Sequence, residues 1–447
     1  MQPVGLGAEP EAAPANSTAA LPGSRSFIVA TLVANGIGLL FVAFAGRALP
    51  AAAAADFFAA MFLVQAIYMA GHPFNTLMAR TGAAWTAAGE QARVASLAAY
   101  LLWRWAAVTA AIALAVALTF ELQTDGFQIE EPAAWAFAWA CGALVVALGV
   151  LRGALRGALL LGALAASFVV EAALRLGVGA ALLGHTASAT SAVAAHGFAA
   201  AAAVVGAGLA LRRHLRVGRA NSDSDGLASG PAASPPIDGH DVLRQFAPLL
   251  LLSLLDASWQ NADALLAKAQ LLPRDAAGYG AVTSMARLFG VIAQPFALLV
   301  IPAMAADPAS AVDGGALGRT RLGRLWLGFG GLSLAMLAPL ANWPGAVLTV
   351  VFVVSYASAA PLVLPLALAS LAAFATLMLG QAFAASGRFG FLAGQLALLA
   401  LAAAGLWWLA PRDAVALAWA VALAKGACLG LTAAWWRWER TEPGGRG

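Results

Sequence analysis

Charged residues are scarce, making up 10% of the 447-residue chain against about 25% in an ordinary soluble domain. With 62% hydrophobic residues and a mean hydropathy of +0.82, this excludes a conventional water-soluble domain. It implies a polytopic membrane protein whose bundle is the folding unit. Cysteine is nearly absent: Cys141 and Cys428 both lie in apolar stretches, so neither a disulfide framework nor a cysteine metal site is expected. Five histidines and no CxxC or HExxH pattern leave no metal motif. The stretch 149–157 is no phosphate-cradling loop, and no Walker pattern occurs, so neither ATP hydrolysis nor a cofactor is expected. Lysine is limited to Lys268 and Lys425, and arginine supplies the remaining basic residues. The net charge of +4 is read through its placement in loops, which points to cytoplasmic faces and anionic lipids rather than nucleic acid.

What is present is long apolar runs. Twelve of them occur, roughly 26–47, 52–78, 97–120, 133–151, 158–183, 190–211, 244–267, 277–303, 323–341, 359–384, 389–410 and 413–436. Each is near or above the ~20 residues that cross a bilayer as a helix. The fold class expected is therefore all-α, with about twelve transmembrane helices. Residues 344–356 are too short to span and read as a partly buried outer segment. Residues 1–24, rich in Ala and Pro, read as a disordered tail rather than a signal peptide. A Ser/Gly/Pro/Asp-rich linker, 217–241, divides an N-lobe (25–216) from a C-lobe (242–438), six helices each, and 439–447 form a tail. With the N-terminus inside, most arginines fall in cytoplasmic loops, among them Arg152, Arg156 and Arg388, which read as topology determinants. The outer turns hold only Arg47, Lys268, Arg274 and Arg412, beside the acidic Glu121, Asp125, Glu130 and Glu131. That asymmetry places both termini and the linker in the cytoplasm, the multi-pass chain lying in a bacterial cytoplasmic membrane.

The second half opens on a hairpin, 242–304, around the turn Leu271-Leu272-Pro273-Arg274-Asp275. Its two helices carry ionisable groups deep inside, although a central charge costs at least ~2.5–3.5 kcal/mol and so marks a pair or a transport path. Asp256, Gln260 and Asp263 form one helical stripe; Ser284, Arg287, Val291 and Gln294 form another, followed by Pro295. The first half repeats the pattern. With a shift of 222 positions, Phe57 falls on Tyr279, Gln65 on Arg287, and His72-Pro73-Phe74 on Gln294-Pro295-Phe296. Such internal duplication is typical of transporters, whose sites lie near the midplane between repeats.

The hairpins also carry a family resemblance. Gly46-Arg47-Ala48-Leu49-Pro50 leads through Phe57-Phe58 to Ala79-Arg80. Asn261-Ala262-Asp263-Ala264-Leu265-Leu266 is followed by Gly278-Tyr279 and Met285-Ala286-Arg287-Leu288. Gly380-Gln381-Ala382-Phe383-Ala384-Ala385-Ser386-Gly387-Arg388 closes the tenth run. In these stretches the chain resembles the Wzx-type polysaccharide flippases of the multidrug/oligosaccharidyl-lipid/polysaccharide (MOP) exporter superfamily, over residues 26–436. Twelve helices rather than fourteen look less like the lipid II flippases. The resemblance implies two pseudo-symmetric lobes around a central cavity. It also implies alternating-access movement of a polyprenyl-diphosphate oligosaccharide to the outer leaflet for polysaccharide or lipopolysaccharide (O-antigen) biosynthesis. Partners would be that lipid-linked oligosaccharide, membrane lipids and polysaccharide-assembly proteins.

Candidate site residues follow from charge in the spans. Glu171 and Arg175, at i, i+4, can neutralise each other; alternatively Arg175 faces the cavity and Glu171 holds it. Asp263 can pair with Arg287 across the hairpin, or Arg287 can meet substrate phosphate through its guanidinium fork. Asp256 is expected to pair with Arg175 or Lys425, or to take a proton or sodium ion. The substrate-binding set is thus Arg287, Arg175, Lys425, Gln65 and Gln294, and the ion-coupling set Asp256, Asp263 and Glu171. Two rivals remain: a drug/cation antiporter of the same architecture, and a membrane-embedded polymerase or ligase, against which the short outer loops argue.

Overall fold

The computed structural model describes residues 24–87, 90–224, 239–293, 296, 316–385, 390–409 and 413–441. The first half contains α1 (Ser24–Ala48), α2 (Ala51–Ala70), α3 (His72–Ala87), α4 (Gln91–Gly126), α5 (Pro132–Gly157), α6 (Leu161–His185) and α7 (Ala189–Ser224). The second contains α8 (Gly239–Gln270), α9 (Pro273–Ala286), α10 (Ala316–Asn342), α11 (Pro344–Val351), a 3₁₀ turn (Val354–Ala359), α12 (Ala360–Ala385), α13 (Phe391–Leu409) and α14 (Ala414–Thr441). The protein is all-α. Ten helical stretches are long and apolar enough to cross a membrane, or eleven if the pair α10–α11, bent by 97°, is one span. The remaining long helix, α8, is charged by Asp256, Asp263 and Lys268, so composition alone does not count it. Every expected apolar run is largely helical where it is described, with breaks at Gly71 and Arg287 and non-helical first residues at 158–160.

Boundaries differ from expectation in instructive ways. The second run is broken, because Pro73 follows Gly71 and His72 and cannot continue an uninterrupted hydrogen-bond ladder; α3 starts there at a bend. Helices extend into both ends of the expected linker, to Ser224 and from Gly239, and 225–238 lie outside the described residues. So do residues 1–23, Gln294, Pro295 and 442–447. The segment after α10 does not span: eight residues of α11 and a 3₁₀ turn fold back and bury Leu348, Phe352 and Tyr356.

The repeat is visible at the hairpin turns. Pro50 caps α2 and Pro273 opens α9, each after or in extended backbone (Pro50 ψ 159°, Leu272 ψ 151°), the position where proline's missing N–H costs nothing. Helices of the first half pack on one another, α5 on α7 and α3, and α6 on α1 and α7; in the second half α14 packs on α12 and α13. The halves meet where α2 and α3 lie against α8 and α9. Beyond this packing, large apolar side chains face outward, as on α4, where Trp103, Leu118 and Leu122 are at least 75% exposed, as a lipid-facing helix requires.

In lipid, helices associate by close packing of small residues rather than by hydrophobic expulsion. Gly149, Gly153 and Gly157 form such a stripe on α5. A Cβ at Gly153 would sit 2.7 Å from the Asn75 carbonyl oxygen, and one at Gly157 would sit 2.8 Å from that of Met78, whereas Gly149 faces open space. Gly153→Ala and Gly157→Ala should each destabilise by ~1–3 kcal/mol through overpacking of α3 on α5, and Gly149→Ala should be neutral. Thermal unfolding in detergent measures the contrast, and equal effects at all three positions would refute the packing account.

Candidate functional site

Buried charges define the site, because each must find its partner inside the protein. Glu171 on α6 accepts a hydrogen bond from Arg152 of α5 at 2.7 Å, and both are buried. The same guanidinium donates to the Ser167 hydroxyl and carbonyl, each at 3.0 Å, and stacks 3.8 Å over the Phe168 ring. The expected Glu171–Arg175 pair is therefore corrected. The i, i+4 spacing permits it, but a guanidinium from the neighbouring helix satisfies Glu171 together with three other groups of α6. Arg152 is correspondingly a buried residue of α5 and not a loop topology determinant. Arg175 turns instead toward α1 and α7, 3.2 Å from Nδ1 of His196 and 5.7 Å from the Phe41 ring, with a buried Nε that has no partner.

In the second half, Asp263 of α8 is held by Lys425 of α14 at 3.1 Å and by the Tyr279 hydroxyl of α9 at 3.2 Å. This corrects two expectations: Asp263 does not pair with Arg287, and Lys425 does not pair with Asp256. Residues seven apart on α8, Asp263 and Asp256, compete for one ammonium, and Asp263 takes it with a hydroxyl in support. Asp256 has no ion-pair or hydrogen-bond partner among the described residues. It borders a cavity of about 10 Å³, room for one water-sized group, with Trp259, Thr376, Lys425 and Cys428; the Trp259 indole N–H is buried without a partner.

Arg287 lies on the seam between the halves. It hydrogen-bonds Asn261 of α8, and its guanidinium sits 4.2 Å over the Phe62 ring of α2. Asn261 in turn donates to the Ala257 carbonyl at 2.7 Å and touches Met69 of α2. The backbone breaks at this residue: α9 ends at Ala286, and Arg287 follows in a tight turn in which Gly290 N–H donates to the Arg287 carbonyl at 2.8 Å. A discontinuous helix at a repeat interface is a hallmark of transporter sites. Because α9 begins at Pro273, Arg287 lies about 21 Å along its axis, deeper than its apolar run suggested. No carboxylate pairs with it among the described residues. Gln65, its counterpart in the repeat, is half-buried on α2, and Gln294 lies outside the described residues.

One pair was missed by sequence reasoning. Lys268, assigned above to an outer turn, lies buried in the last turn of α8, 2.8 Å from Oδ1 of Asp56 on α2. The contact is an ion pair rather than an aligned hydrogen bond. A signal existed: the chain has two lysines, and both turn out to be buried partners of an aspartate.

Solved structures of similar fold include an inward-facing multidrug resistance MATE family transporter of the MOP superfamily, at 14% identity and a TM-score of 0.61, covering 92% of this chain and 94% of that one. Lipid II flippase MurJ in an inward closed conformation matches at 9% identity and a TM-score of 0.66, covering 93% and 88%. A MOP superfamily transporter from Pyrococcus furiosus, described as having a binding pocket of reverse polarity that suggests a different function, matches at 13% identity and 0.59, covering 93% and 94%. At these identities the likeness is one of fold: more than nine-tenths of the chain shares the fold of these solved structures. No family model and no curated protein sequence matches the chain.

The charge pairing is testable. Glu171→Gln should lower the yield of folded protein, since stripping a buried pair of one partner costs ~3–5 kcal/mol. Adding Arg152→Gln should recover it, and adding Arg175→Gln should not. Recovery by the Arg175 change alone would reinstate the i, i+4 pair.

Proposed function

We propose that the protein is a membrane transporter that moves an anionic lipid-linked oligosaccharide, carried on a polyprenyl diphosphate, from the inner to the outer leaflet by alternating access. The observation that carries this reading is Arg287: a guanidinium at the seam of the two halves, beside a helix break, hydrogen-bonded among the described residues to the neutral Asn261 and stacked on Phe62. A cation desolvated there favours an anion, and a guanidinium fork binds phosphate oxygens by charge-assisted hydrogen bonds.

The wider charge balance supports the same reading. Arg152–Glu171, Lys268–Asp56 and Lys425–Asp263 cancel in pairs. Setting aside charged groups exposed on the bundle surface, Arg104 and Arg156 among them, this leaves Arg287 and Arg175 among the described residues of the spans as guanidiniums without a carboxylate, against Asp256 as a carboxylate without a cation. That excess suits an anionic cargo better than a cationic drug. Lys425 is engaged by Asp263 and drops behind the two arginines as a substrate ligand. For ion coupling, Asp256 is the group without a fixed partner, whereas Asp263 and Glu171 are neutralised. Asp256 is also the one observation favouring the second reading, a drug/cation antiporter of the same fold. The proposed setting is the cytoplasmic membrane of a bacterium, with both termini inside and polysaccharide-assembly proteins as partners; nothing in this scheme requires the chain to be an enzyme.

Two experiments test the reading. Single cysteines at positions 125 and 226, in a chain lacking Cys141 and Cys428, should label from outside and inside respectively; the reverse pattern refutes the orientation. Arg287→Ala should abolish glycan export at normal membrane protein level, with at least an order-of-magnitude loss expected for removal of a charge-assisted contact, and Arg287→Lys should keep part of it. Asp263→Asn should lower protein level instead, because it strands Lys425. Full export by Arg287→Ala at normal level would end the anion-binding idea and leave the antiporter reading.

A further inference from the structure

We propose that Asp56, Lys268 and the segment 127–131 form a releasable latch that fastens the two halves together at the hairpin-turn end. The proposal rests on reading the chain as two halves that move apart, but not on any particular cargo.

The geometry divides the latch into a fixed jaw and a captured bolt. The jaw belongs wholly to the first half. Asp56 Oδ2 accepts hydrogen bonds from the backbone N–H groups of Glu130 at 2.9 Å and Glu131 at 2.7 Å. The Glu131 carboxylate caps α7, accepting from the N–H groups of Ala189 and Thr190, each at 2.9 Å, and from the Thr190 hydroxyl at 2.8 Å. The segment between α4 and α5 is thereby tied to α2 and α7 and must travel with them. The bolt belongs to the second half. Lys268 places its ammonium 2.8 Å from Asp56 Oδ1 and donates to the Gln128 carbonyl at 2.6 Å, while Gln128 Nε2 donates back to the Ala269 carbonyl at 2.8 Å. Both charged side chains are at most 3% exposed. Gln128 presents its carbonyl from left-handed backbone, φ 51°. Beside the latch, Phe58 of α2 packs on Gly280 of α9 and meets Phe352 edge to face, and Phe352 itself packs on Gly46, so aromatic contacts fill the seam at the same end.

The asymmetry makes the contact releasable. When the halves part, Asp56 keeps its two backbone donors, and Lys268 emerges from the end of α8 into water. Neither group is left bare in low dielectric, which is the condition that makes breaking a buried pair expensive. The hydrogen bonds that cross between the halves run through Gln128, to Lys268 and to Ala269, while both hydrogen bonds to Asp56 stay within the first half.

A substrate-free measurement tests this. Ala264 is buried one turn before Lys268 on α8, and Ala138 is buried on α5 within the first half. In a chain with Cys141→Ala and Cys428→Ala, a cysteine at 264 or at 138 is labelled with a soluble maleimide in nanodiscs. Asp56→Asn and Lys268→Met should each speed labelling at 264 by about tenfold or more, the scale of a lost buried charge contact, and leave 138 unchanged. Gln128→Gly keeps the left-handed backbone and the carbonyl but removes the bond to Ala269; it should speed labelling at 264 by roughly fivefold, one hydrogen bond's worth. Unchanged labelling at 264 in folded variants, or an equal rise at 138, overturns the latch. If the charge variants fail to accumulate, Gln128→Gly decides alone. Labelling that responds while glycan export proves absent would leave the latch standing and dispose of the cargo assignment.

Discussion

A charge inside a membrane has no solvent to fall back on, and the structure depends on how that constraint is met. Three ion pairs do most of it, and each ties two different helices: Arg152–Glu171 joins the consecutive α5 and α6, Lys425–Asp263 joins α14 to α8 with Tyr279 of α9 in attendance, and Lys268–Asp56 joins the two halves. Where hydrophobic burial gives little preference for one helix arrangement over another, mispairing any of these ions leaves an uncompensated charge. The pairs therefore act chiefly as specifiers of arrangement, since a buried ion pair adds little net stability over an apolar substitute.

Close approach of the backbones makes such pairing possible. The glycine stripe on α5 brings α3 near enough for Asn75 to donate to the Gly149 carbonyl at 3.2 Å. On α9, Gly280 admits the Phe58 side chain. The abundance of alanine and glycine thus has a packing consequence: short side chains allow helices to sit close while the few long charged ones reach across.

Much of this was legible in the sequence, and what was not shares one cause. The apolar runs, the hairpin repeat with its two Leu-Pro turns, and Arg287 as a group placed at a helical stripe were all readable, because run length and periodicity are local properties. The pairings were not. Glu171 and Arg175 are four apart and obey the helical rule, yet Glu171 bonds a residue nineteen positions away. Asp263 bonds one 162 positions away. Local spacing says which groups can meet within a helix, and three-dimensional packing decides whether a better partner arrives from outside it. Lys268 was misplaced for a related reason: proximity to a turn suggested exposure, whereas the first half folds the segment 127–131 over that turn and buries it.

The residual charges then acquire meaning by subtraction. A bundle that recruits a partner for Asp56, Glu171 and Asp263 could have recruited one for Arg287, since Asp263 lies on the adjacent helix. Instead Asp263 is consumed by Lys425 and Tyr279, and Arg287 is given an amide oxygen and an aromatic face. Those contacts soften the cost of burial without cancelling the charge. They also come from different halves, Asn261 from the second and Phe62 from the first. Any motion that separates α2 from α9 strips the ring from the guanidinium while leaving the amide in place. On the proposed reading, the affinity of the seam for an anion and the relative position of the halves are then coupled through one side chain, which is the property that an alternating-access carrier needs: a site whose strength depends on which way the protein faces.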